Sequence, residues 1–243
     1  MRLSPLLCLF AVCAAAVVSA EPQTAAPAPA VSAEQQTLDS LVSLLEDVAA
    51  ALDSVSDTES ADLVAPRVAV DFIAMSKLHA AAHAASENIP ADADFAKSFM
   101  TRSTQARRLL DDAVSRLKEH NAYGSRVLPS ALSFSSLLTD SLPESRAAES
   151  AAVLLAHHRA QMTMLLARVQ DAATAAEVAE LLQAMLTTDD VLAAFAAQHA
   201  DGGVTENTAI TLNKAEKDLE GAVSTLRARD FYGNTKLRTL LTR

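Results

Sequence analysis

The sequence predicts an all-α protein of two tandem antiparallel three-helix, or three-to-four-helix, bundle repeats, and three observations carry that prediction. Half of the 243 residues are hydrophobic, yet only 4% are aromatic and five are Gly. Strands draw on β-branched and aromatic side chains and hairpins draw on Gly, so this composition argues against a β-rich or dinucleotide-binding fold. Second, Leu38, Leu41, Leu45, Val48, Leu52 and Val55 alternate steps of three and four, a heptad-like seam that only a helix keeps on one face. Third, the chain repeats itself. Ala113-Val114-Ser115-x-Leu117, then Tyr123-Gly124 and Leu128, returns with unchanged spacing as Ala222-Val223-Ser224-x-Leu226, Tyr232-Gly233 and Leu237. Upstream, Val55-x-Asp57-x-x-Ser60-Ala61-x-x-Val64-Ala65 returns as Val169-x-Asp171-x-x-Thr174-Ala175-x-x-Val178-Ala179. The offset is 114 upstream and 109 downstream, so the copies differ by a few residues of loop between the two matches.

Residues 1–20 read as a secretory signal peptide: Arg2, an apolar run from Leu6 to Val18, and Val18-Ser19-Ala20 as the cleavage site. Both cysteines, Cys8 and Cys13, lie inside it, so the mature chain is expected to hold neither a disulfide nor a thiolate metal site. Leu7 and Val12 precede them, where lipid attachment would need a small residue. Residues 21–33, with Pro22, Pro27 and Pro29, read as an Ala/Pro-rich tether. Repeat 1 then spans 34–128, a linker with room for a short helix spans 129–143, and repeat 2 spans 144–243. No later stretch reaches the about 19 apolar residues of a membrane helix, so no integral span is expected after signal cleavage.

Within repeat 1 the seam forms the first helix. Asp57 or Ser60 caps the second, with Val64, Val68, Phe72, Met75 and His79 inward, Pro66 in its first turns and Asn88-Ile89-Pro90 at its end. The third is expected over 92–121, with Phe95, Phe99, Ala106, Leu110, Ala113 and Leu117 inward. Repeat 2 predicts helices over 144–170, 174–199 and 206–230, with a break at Asp201-Gly202-Gly203 and with Leu212, Ala215, Leu219, Ala222 and Leu226 inward in the last. Gly124 and Gly233 are expected to stop the long third helices in a left-handed C′ conformation, each anchored by the preceding Tyr.

Twenty Lys and Arg against thirty Asp and Glu give a net charge of −10, the wrong sign for a broad phosphate-binding surface, so no nucleic-acid partner is expected. Between residues 34 and 71 the acids face one base, Arg67, whereas Lys97, Arg102, Arg107, Arg108, Arg116 and Lys118 concentrate on the third helix. Complementarity between neighbouring helices explains this split, and a basic stripe for an anionic glycan or lipid head group is the alternative.

The candidate metal ligands are His79, His83 and Glu87. The spacing His79-x-x-x-His83 puts two imidazoles on one helical face a turn apart with Glu87 a turn further on, a half-site for zinc or copper. Histidines near a helix C-terminus are also favoured by the dipole alone. His157 and His158 are adjacent and cannot chelate together, and one of them is expected to border the seam. Ser115-x-x-Lys118 matches a serine–lysine pattern of penicillin-interacting enzymes without its companion elements. No nucleophile elbow, His-Glu-x-x-His, phosphate loop, EF-hand loop or haem-attachment motif is present, so no catalytic residue and no enzyme activity is expected.

The segment Val55-x-Asp57-x-x-Ser60-Ala61-x-x-Val64-Ala65-Pro66 resembles exported Ala-rich tandem helical-repeat proteins of Gram-negative bacteria. The helix lengths are also similar to those of cytochrome b562-like bundles, in which a Met on the first helix and a His on the last hold haem. Here the first helix of the first copy has no Met, and Tyr-Gly stands where such a His would be sought, so no cofactor is expected. The first resemblance implies a periplasmic or secreted, non-catalytic binding or structural module whose partner is another protein or envelope component. The alternative is a periplasmic bundle that binds a metal or a small ligand.

Overall fold

The structure, a computed structural model, describes residues 33–85 and 93–242. The expected signal peptide, nearly all of the expected tether, the expected helix stop at Asn88-Ile89-Pro90 and Glu87 lie outside the described residues. Among the described residues there are eight α-helices and no strand: α1 (Ala33–Asp53), α2 (Thr58–Ala85), α3 (Ala93–Glu119), α4 (Leu128–Ser133), α5 (Glu144–Ala167), α6 (Ala172–Gln198), α7 (Glu206–Ala228) and α8 (Thr235–Leu241). The protein is all-α. Each copy has three long helices and a short fourth, since α4 follows α3 as α8 follows α7.

The helices start where the sequence offers caps. Asp57 Oδ1 accepts from the Ser60 backbone N–H at 2.7 Å, and Ser60 Oγ accepts in return from the Asp57 N–H at 3.1 Å. Asp171 and Thr174 repeat this box at the start of α6, at 2.8 and 3.1 Å. Both residues named as candidate caps therefore act, reciprocally. The Ser60 side-chain hydrogen bond holds the Asp57 carboxyl below its ordinary range, and the Thr174 backbone N–H does the same for Asp171.

All six seam residues from Leu38 to Val55 are buried. The face of α2 is turned slightly from expectation, with Ala61, Ala65, Val68, Phe72 and Met75 buried and Val64 half-buried. Pro66 stands inside α2, which continues past it to Ala85. In the first copy α1 packs on α3, and in the second α5 packs on both α6 and α7 while α6 carries α8. By contact the described residues divide into two units, one within 33–64, 71–128 and 134–142, the other within 65–70, 129–133 and 143–242. The expected linker contains α4 and a 3-10 turn over Phe134–Thr139.

The third helices do not stop at their glycines. α3 ends at Glu119 and α7 at Ala228, and the backbone then reverses its hand. Asn121, Ala122, Tyr123 and Gly124 have φ of 49°, 48°, 52° and 79°, and Asp230, Phe231, Tyr232 and Gly233 have 50°, 51°, 52° and 74°. Each copy thus makes one left-handed turn, at about 1–2 kcal/mol for each non-Gly residue. The turn buries Ala122 and Phe231. Its backbone is satisfied by Tyr123 and Tyr232 N–H donating to the His120 and Arg229 carbonyls at 2.9 and 3.0 Å. The Thr58 hydroxyl donates to the Tyr123 carbonyl, and the Tyr123 ring stacks on His120 at 4.9 Å. Tyr232 lies 5.8 Å below the Arg229 guanidinium. Ser125 and Asn234 then cap α4 and α8, accepting from the Leu128 and Leu237 N–H groups at 3.0 and 2.8 Å.

Candidate functional site

α6 ends and α7 begins beside the N-terminus of α5. A Cβ on Gly202 would collide with the Glu144 carbonyl, so Gly lets the loop rest on the first turn of α5. His199 Nδ1 meets Glu144 at 2.8 Å. Glu149 accepts from the Thr205 N–H at 2.7 Å and from the Thr205 and Thr208 hydroxyls at 3.0 and 2.6 Å, which pins the start of α7. Burial raises the pKa of Glu149, but these hydrogen bonds outweigh it and hold the carboxyl below its ordinary range. From this end α6 and α7 run antiparallel to each other along α5.

Between them opens a groove of about 460 Å³, within the range of small-ligand pockets. Met162 of α5, 1% exposed, forms its floor. Leu186 of α6, Leu219 and Val223 of α7, and Leu240 and Leu241 of α8 form apolar walls. Glu220, Ser224 and Arg227 recur along α7 at steps of four and three, so they make a polar rim beside the apolar stripe, with Asp190 of α6 facing them. The helix directions put Asp190 and Glu220 toward one end and Arg227 toward the other. All three are exposed and make no ion pair with another described residue.

Next to the acidic end, Arg159 of α5 reaches Asp189 of α6 at 3.0 Å and also binds Glu216 of α7. Its side chain is 15% exposed. Burial opposes the charge, but the two carboxylates outweigh it and raise the guanidinium pKa. His158, 4% exposed, places Nε2 at 2.8 Å from the Met185 carbonyl. Burial lowers its pKa, so the ring is neutral at pH 7 and Nε2–H is the donor. Of the two adjacent histidines, His158 therefore borders the core.

Of the three candidate metal ligands, only His79 has its side chain among the described residues. His79 is half-buried on α2 and engaged with its surroundings. His83 lies in the last turn of α2 and, like Glu87, presents no described side chain. Among the described residues no group of three or more His, Cys, Asp or Glu is placed to hold a metal. Ser115 and Lys118 are exposed on α3. Arg102 meets Asp39 and Glu46 at 3.1 and 2.9 Å, and Arg116 donates to the Leu52, Asp53 and Val55 carbonyls, so these two bases of α3 match the acidic first helix.

Sequence reasoning missed the groove, although the repeat held a signal for it. Under the two offsets Phe72 stands where Leu186 does, Ser76 where Asp190 does, and Asp111 where Glu220 does. Phe72 is 1% exposed. A smaller side chain at one repeat position, beside a new acid, marks where the second copy leaves room.

No family matches the chain, and neither a curated protein nor a solved structure matches it. Among the described residues no helix is long and apolar enough to cross a membrane.

Proposed function

We propose that this is an exported, non-catalytic binding module of the periplasm or cell envelope, whose second copy holds a small apolar ligand in the groove between α6 and α7. The apolar-floored groove carries this reading: covering the half-buried Leu186, Leu219 and Val223 with a ligand, over the already buried Met162, releases water at about 25 cal/mol per Å². The Arg2 to Ala20 segment supports export, and the lack of a nucleophile–base pair or phosphate cradle in the sequence supports a role without catalysis.

The test is saturable binding of an environment-sensitive apolar dye to the purified protein, compared with Leu186→Phe, which installs the first copy's residue. One site in the wild type, weakened at least tenfold in Leu186→Phe at unchanged helix content, is the expected result. Equal binding by both proteins would overturn the site. Mass analysis of protein from the periplasmic fraction should show a chain beginning at Glu21, and an intact Met1 in the cytoplasm would overturn export.

A further inference from the structure

We propose that the ligand is zwitterionic: a short apolar peptide lying along α7 with its amino group at Asp190 and Glu220 and its carboxylate at Arg227. This rests on the groove being the binding site and adds what the groove selects. Glu220 and Arg227 are seven residues apart on one helix, a span of about 10 Å at 1.5 Å per residue. An extended peptide advances at most about 3.3–3.6 Å per residue, so three residues bridge the two ends. Between the ends the wall offers Val223 to apolar side chains, with Leu219 beside Glu220, over the Met162 floor.

Charge complementarity favours the zwitterion over single-ended ligands. A fatty acid anchored at Arg227 would lay its methyl end against two carboxylates and leave their charge unmatched. An alkyl amine held by Asp190 and Glu220 would leave the guanidinium without a partner. Arg227 offers a planar fork that suits a carboxylate, with the Ser224 hydroxyl one turn before it. Because these charges are exposed, each contributes direction and selectivity more than affinity. The first copy keeps an acid and a base, Asp111 and Lys118, at the places of Glu220 and Arg227, but Ser76 takes the place of Asp190, Phe72 that of Leu186, and Arg107 lies 4.0 Å from Asp111.

The experiment is dye displacement from the purified protein by Leu-Leu-Leu, by its N-acetyl, C-amide and doubly blocked forms, and by decanoate and decylamine. The free tripeptide should displace best, with each block weakening it roughly threefold, the scale of one exposed ion pair. Arg227→Gln should weaken the free peptide and leave its amide unchanged, and Asp190→Asn with Glu220→Gln should erase the effect of acetylation. If free and doubly blocked peptides displace alike, or if decanoate or decylamine matches the tripeptide, the zwitterion proposal fails while the apolar site stands. If the dye itself does not bind, the binding reading fails with it.

Discussion

The two copies share their caps, their seams and their left-handed turns, and they differ in the middle layer of the bundle. Where the first copy has Leu45 and Met75, 9% and 1% exposed, the second has Arg159 and Asp189, and Arg107 gives way to Glu216. One copy fills that layer with Leu45 and Met75 beside Arg107, and the other with an ion triad. Desolvating charge is costly and is recovered only by geometry, so the triad adds little stability over an apolar layer. It does tie α5 to both α6 and α7 at the acidic end of the groove. The scaffold therefore rests on features common to both copies, and the middle layer is free to change. The second copy combines that change with the smaller Leu186 and the groove.

The largest effect should come from breaking what both copies share. Leu117→Asp and Leu226→Asp each place an unpaired charge at a buried seam position, 1% and 3% exposed, and should cost about 4 kcal/mol or more in thermal or urea unfolding. Unchanged melting of both would refute this packing. The next test separates the copies. Arg159→Leu strands Asp189 and should cost about 3 kcal/mol, whereas Arg159→Leu with Asp189→Met, which imports the first copy's pair, should return to within about 1 kcal/mol of wild type. A double variant no better than the single one would show that the layers are not interchangeable.

Smaller effects sharpen the likeness. Ser60→Ala and Thr174→Ala remove the same hydroxyl from the same capping box, and each should cost about 0.5–1.5 kcal/mol. Clearly unequal losses would mean that the boxes are not equivalent. The last test is titration of His158, whose place in the first copy is taken by Leu44. Burial lowers its folded pKa, so the unfolded chain binds the proton that the native ring refuses. Its stability contribution is complete above the ordinary histidine value of about 6.5 and is lost as pH falls toward the lowered one. Melting temperature should drop from pH 7 to pH 5, and His158→Gln, which can still donate to Met185, should flatten part of that drop. An unaltered slope would remove His158 as its source.

Much of this was legible along the chain because it is local. The steps of three and four from Leu38 to Val55 report a buried face directly, and Asp57 with Ser60 announces a helix start. The Tyr-Gly pair marked a chain reversal in both copies, but its hand could not be read, since Ala122 and Phe231 have no intrinsic preference for positive φ. They hold it because their side chains are buried at the bundle end. The split of charge between α1 and α3 was equally visible, and Arg102 and Arg116 realise part of it as contacts.

Sequence by itself determined the all-α class, the duplication and the places where helices begin, because propensity, capping and periodicity act over a few neighbouring residues. Tertiary structure alone decided that Arg159 meets Asp189 and Glu216 and that His158 faces Met185. It also decided that Met162, Leu186, Leu219 and Leu240, spread over four helices, line one groove. Those outcomes depend on how far apart packed helices stand and on which side chain fills the space, and spacing along one helix does not record that distance.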